Sequence, residues 1–212
     1  MSTRAFRSAR ARGYTAVELL MAISVFGIGV AGIISMEKVT SAANQDAKNL
    51  AIATHIAESW LDMLAADAVA WNHPSNGFNF SDLGSDTIWL NNAVTNAGAG
   101  SWFLPAYNVG LGFGPGFDAL GNPVNTTTST ANVQFCSHLR LSWLYQPTAS
   151  AGTGNGLIRA EVRVFWLRDG QGSPVAGVDP CAPAMPIANI SGATSTFHFV
   201  QKITAIRENT KQ

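Results

Sequence analysis

No lysine or arginine occurs between Lys48 and Arg140, a stretch that carries six acids: Glu58, Asp62, Asp67, Asp82, Asp86 and Asp118. Charge of either sign is scarce, with 13 basic and 13 acidic residues making up 12% of the 212-residue chain. After residue 12 no cluster of basic residues interleaved with aromatics follows, so the electrostatic footprint of a nucleic-acid binder is missing. G-x-S-x-G, H-E-x-x-H and P-loop sequences are absent too, and with them the hydrolase elbow, the zinc-protease helix and the phosphate cradle. Cysteine is limited to Cys136 and Cys181, too few for a structural zinc site. His55, His73, His138 and His198 show no metal-ligand spacing, although His138 and His198 could face each other across strands. Asp82 and Asp86 lack the EF-hand pattern. The reading is a non-enzyme with no catalytic residue, cofactor site, metal site or small-molecule substrate.

What the sequence does have is an apolar run. Tyr14 to Met36 holds one formal charge, Glu18. As a helix it would be about 34 Å long, enough to cross a hydrocarbon core. Arg4, Arg7, Arg10 and Arg12 flank it, which places the N-terminus in the cytoplasm and everything after Met36 outside. A secretory signal peptide would have a shorter apolar core, and "SAANQDA" (41–47) continues the helical pattern. An ordinary anchor leaves Glu18 without a reason, since a carboxylate in a span is costly and by default functional. Gly27, Gly29 and Gly32 spell G-x-G-x-x-G, but no strand precedes them, so they are read as sites of close packing or local melting and not as a dinucleotide loop.

Beyond the run, Leu50, Ala53, Ala57, Trp60, Leu61 and Leu64 share a helical face, with Ile52 and Ile56 close to it. The helix is expected to continue amphipathically over 37–70 and stop before "NHPSNG". Residues 71–132 read as a variable, loop-rich region. "TIWL" (87–90) and "WFLPAY" (102–107) are expected to be short strands or plugs, and "GLGFGPGFDALGNP" (110–123) to hold no regular element. Alternation marks three strands in the sheet region, 133–212. Their apolar sets are Val133, Phe135, Leu139, Leu141, Trp143 and Tyr145; Ile158, Ala160, Val162, Val164 and Trp166; and Phe197, Phe199, Ile203 and Ala205. The fold class is therefore α+β, with a long N-terminal helix covering an antiparallel C-terminal sheet. If Cys136 and Cys181 lie outside the cytoplasm they are expected to be bridged, closing a loop worth about 4 kcal/mol, with two free buried thiols as the alternative.

"GYTAVELL" (13–20) resembles the processing site of type IV prepilins and pseudopilins, and the chain is most similar to minor pilins of the PilV kind. "KNLAIATHIAESWLDML" (48–64) and "IRAEVRVFWLRDG" (158–170) carry weaker likeness. The resemblance implies a leader, residues 1–13, removed by prepilin peptidase between Gly13 and Tyr14, followed by N-methylation of Tyr14. Tyrosine stands where that family usually has phenylalanine. It implies that Glu18 sets register by pairing with a neighbouring subunit's terminal amine, a pairing strengthened by low dielectric. It also implies the pilin fold, with 14–36 and 37–70 as two halves of a spine helix, and a late disulfide such as Cys136–Cys181. The implied partners are other pilins or pseudopilins, the peptidase and an inner-membrane assembly platform. The implied course is single-pass insertion in the inner membrane with a periplasmic domain, then a pilus tip that primes assembly and contributes to adhesion. A minor pseudopilin of a type II secretion system and a membrane-anchored periplasmic binding module are the alternatives. Loss of residues 1–13 would leave side chains summing to about −4, again unlike a nucleic-acid binder.

Overall fold

The computed structural model describes residues 13–71, 83–84, 86–95, 99–128, 132–146, 156–168, 181 and 196–208. Two compact units divide the chain between Lys48 and Asn49. One helix, α1 (Ala16–Asp67), 52 residues long, contributes to both.

In the first unit every residue from Gly13 to Lys48 is exposed, Phe26 at 73% and Ile28 at 76% among them. By length and composition α1 can cross a membrane. Three of its hydroxyls bond within the helix: Ser24 Oγ donates to the Leu20 carbonyl at 2.8 Å, Ser35 Oγ to that of Gly32 at 2.7 Å, and Thr40 Oγ1 to that of Met36 at 2.9 Å. Side-chain bonds to the preceding turn let Ser and Thr sit in a helix where no water is at hand.

In the second unit α1 buries Ala53, Ile56, Ala57, Trp60 and Leu64. That stripe lies nearer Ile56 than expected, and Leu50 is outside it at 51% exposure. The helix ends at Asp67, three residues before the expected stop, and Val69, Ala70 and Trp71 close tighter turns on Ala66, Asp67 and Ala68. Asp67 explains the ending. Its carboxylate accepts backbone N–H groups of Ile88 (2.7 Å), Trp89 (2.9 Å) and Leu90 (2.9 Å), fixing a later segment against the helix terminus. Trp89 and Leu90 are buried there, so "TIWL" is a plug and not a strand. A short helix, α2 (Asn92–Thr95), follows.

All strands of the sheet pair antiparallel. In chain order they are β1 (Ala99–Phe103), β2 (Gly116–Phe117), β3 (Pro123–Val124), β4 (Phe135–Tyr145), β5 (Leu157–Leu167) and β6 (Phe197–Arg207). The spatial order is β3-β2-β4-β5-β6, with β1 also pairing β4. The glycine-rich 110–123 stretch thus does hold ladder, in the short β2–β3 hairpin. Asp118 organises its turn: one carboxylate oxygen accepts from Leu120 and Asn122 N–H (2.8 and 2.9 Å), the other from the Asn122 amide at 3.0 Å. Gly121 has φ +84°, and a β-carbon there would stand 3.1 Å from Ile52. Both its conformation and its close approach to α1 suit glycine.

Loop and helix share one core. Trp60 meets Trp89 and Phe113 edge to face, with centroids 5.3 and 4.8 Å apart, and Phe113 meets Phe117 at 5.5 Å. Leu139, Leu141, Ile158, Ala160, Val162 and Val164 complete it from β4 and β5, as expected.

The apolar face of β6 is the reverse of the expected one. Opposite residues of an antiparallel pair share a face, and Ile158↔Ile206 and Val164↔Val200 place the even-numbered residues of β6 with the helix-side core. Ile206 is buried, and Val200 packs against the core. Phe199 and Ile203 lie on the other face, 45% and 52% exposed. Apolar residues stand at both parities of β6, so alternation alone could not choose, and the register does. Lys202, on the helix side, reaches the edge of α1 and pairs with Glu58 at 3.1 Å.

Candidate functional site at the head of the helix

The residues expected to be functional at the N-terminus, Gly13, Tyr14 and Glu18, are all exposed, Tyr14 at 88%. Residues 1–12 lie outside the described residues. Thr15 precedes the first helical residue as its N-cap. Its Oγ1 accepts the Glu18 backbone N–H at 3.3 Å. The Glu18 carboxylate in return accepts the Thr15 backbone N–H at 3.3 Å and meets Thr15 Oγ1 at 3.4 Å. This is a capping box, in which two of the free N–H groups at a helix start are satisfied reciprocally. A negative side chain in the first turn also faces the positive end of the helix dipole.

The geometry therefore gives Glu18 a role inside its own chain. Its carboxylate is folded back to the head of α1, within one turn of Tyr14, where a chain cut after Gly13 would begin. Thr15 is the residue that sequence reasoning missed, although the T-A-V-E spacing (15–18) that signals the box can be read directly.

Cys136 and Cys181 are joined, with α-carbons 5.6 Å apart and both residues fully buried. Of the two alternatives, the bridge is the one present. It ties a position 45 residues further along the chain to the start of β4. The histidines do not converge. His138 pairs with Arg163 in the ladder and His198 with Trp166, so they lie on opposite faces of the sheet with β5 between them. His138 meets the Phe165 ring edge-on at 5.0 Å, and His198 stacks on Trp166 at 5.4 Å. His55 is exposed on α1, and His73 and Asp82 lie outside the described residues. Among the described residues no three His, Cys, Asp or Glu side chains gather as metal ligands.

Compared with protein families, curated proteins and solved structures, the chain matches none.

Proposed function

We propose that this chain is a type IV pilin-like subunit, made as a prepilin, cut between Gly13 and Tyr14 and methylated on Tyr14. It acts as a minor pilin at or near the tip of a pilus, where it helps prime assembly. In this reading α1 is held in the inner membrane until its exposed apolar half packs among the helices of other subunits. Prepilin peptidase and the assembly platform are its transient partners. The observation that carries the proposal is a long helix, apolar and exposed along its first half, whose one early carboxylate sits in its first turn, beside the expected cleavage point. An apolar surface of that extent is stable only in lipid or against other helices. A carboxylate at its head is suited to a cationic partner in low dielectric.

Mass spectrometry of the N-terminal peptide from natively expressed protein tests this. A peptide beginning at Tyr14 with one added methyl group is expected. One beginning at Met1 or Ser2 would overturn the proposal.

The capping box favours a second reading, a plain membrane anchor in which Glu18 does no more than start the helix. Glu18→Gln separates the two, because glutamine serves at this position of a capping box but carries no charge. Under the assembly reading the variant inserts and is processed yet fails to join fibres. Normal fibre incorporation would leave Glu18 with the cap alone.

A further inference from the structure

The sheet face turned away from α1 carries four arginines, Arg140, Arg159, Arg163 and, at the far end of β6, Arg207, together with one glutamate and several aromatic rings. The ladder sets them in rows: His138↔Arg163↔Gln201, Arg140↔Glu161↔Ile203 and Ser142↔Arg159↔Ala205. Glu161 is central and 1% exposed. It pairs with Arg140 through both Nε, at 3.0 Å, and Nη2. It also takes Gln201 Nε2 at 3.0 Å and Arg159 Nε at 2.7 Å.

One carboxylate thus serves two guanidiniums, and a third stands beside them. Arg163 donates from Nη2 to Gln201 Oε1, an uncharged acceptor, at 3.1 Å. Its Nε is buried without a hydrogen-bond partner. The guanidinium carbon lies 4.1 Å from the Trp102 ring centre and 5.2 Å from that of Phe199, while Arg140 lies 4.8 Å from Trp102 on the same side of the sheet. Burial first, then the charge of Arg140, lowers the Arg163 pKa against the opposing pull of Glu161. Like charges held together in a half-buried setting are costly unless an anion joins them. The patch is open: the Arg140 and Arg159 side chains are 31% and 43% exposed, beside exposed Phe199 and Ile203.

We propose that this face docks an acidic segment of a protein partner. Carboxylates of that segment sit on the Arg159 and Arg163 guanidiniums, and an apolar side chain covers Phe199 and Ile203. Two features choose a protein over a polyanion. The excess positive charge is small, whereas phosphate-backbone binding rests on many contacts. The rim is apolar, and arginine and aromatic side chains together are what protein interfaces concentrate. Planar guanidiniums fit carboxylates bidentately, and Arg140 already turns two of its nitrogens to one Glu161 oxygen. The inference goes beyond the pilin reading and stands without it.

The test uses the full chain in detergent micelles and a fluorescent hexapeptide of alternating glutamate and leucine, with an alternating glutamine–leucine peptide and heparin as comparisons. Saturable binding of the acidic peptide is expected, weakening as salt screens it. Arg163→Gln and the more exposed Arg159→Ser should each weaken binding about tenfold or more, measured well below the melting temperature of each variant. The proposal is overturned by no saturable binding, by equal binding of the glutamine–leucine peptide, by affinity unchanged in both variants, or by tighter binding of heparin.

Discussion

The two stretches of α1 on either side of Lys48 are one continuous helix built for two different surroundings. Before it, apolar side chains point in every direction and are exposed, and three hydroxyls bond the helix's own carbonyls. After it, burial narrows to the stripe Ala53, Ile56, Ala57, Trp60 and Leu64, with Glu58 and Asp62 exposed beside it. The all-round pattern belongs to lipid or to a bundle of helices, and the striped pattern to a helix lying on a sheet. Helicity is common to both, so what differs is the source of stability: the solvent for one, packing for the other. That difference can be broken from either side.

The largest effect is expected at Trp60, which is fully buried among Trp89, Phe113 and the sheet. Trp60→Ala should destabilise the second unit by about 3–5 kcal/mol through lost burial and the cavity left behind. If the first half of α1 anchors the chain in a membrane, extraction behaviour should not change, because the residues before Lys48 are exposed and none belongs to that core. Thermal unfolding read beside carbonate extraction checks both halves. Loss of membrane association in this variant would show that the two stretches are coupled.

Next comes the bridge. Replacing Cys136 and Cys181 together by serine should cost about 4 kcal/mol on the chain-entropy account of a loop this long. The fall in melting temperature should match that of the parent protein under reductant. A reduced parent that melts as before would mean the loop gains nothing from closure.

Legibility in the sequence follows the same division. The long helix, the strands β4 and β5 and their core faces are written in strong periodicities, of 3.6 and 2 residues respectively. Where apolar residues occupy both parities, as Phe197, Phe199, Val200, Ile203 and Ile206 do in β6, periodicity is silent and cross-strand register decides the face. The β2–β3 hairpin is invisible for another reason. Two-residue strands have no period, and a single carboxylate, Asp118, organises the turn between them. At the head of α1 the sequence showed Glu18, and the structure added the partner, Thr15. The Trp102–Arg163 stack joins residues on β1 and β5 that only the ladder brings together, so no local pattern could announce it.

The smallest expected effect lies in that same hairpin turn, and it carries a sign that can be checked. The Asp118 pKa is lowered below its ordinary 3.8, chiefly by the Asn122 side-chain amide, against the opposing pull of burial, with the backbone N–H groups of Asn122, Leu120 and Gly121 each adding a smaller lowering. A carboxyl whose folded pKa is depressed stabilises the fold while ionised. Its contribution is therefore complete well above pH 3.8 and disappears as pH falls through the folded value. Asp118→Asn should be slightly less stable than the parent near neutral pH, and the gap should close in acid as the parent's own carboxyl takes up its proton. The turn is largely exposed, so solvent screening keeps the difference small. Melting curves of both proteins from neutral pH to below pH 3.8 decide it. A gap that stays constant through that range would mean the turn is held by the shape of the side chain and not by its charge. The hairpin would then resemble the first half of α1, where neutral hydroxyls suffice, more than the charged pairs of the sheet.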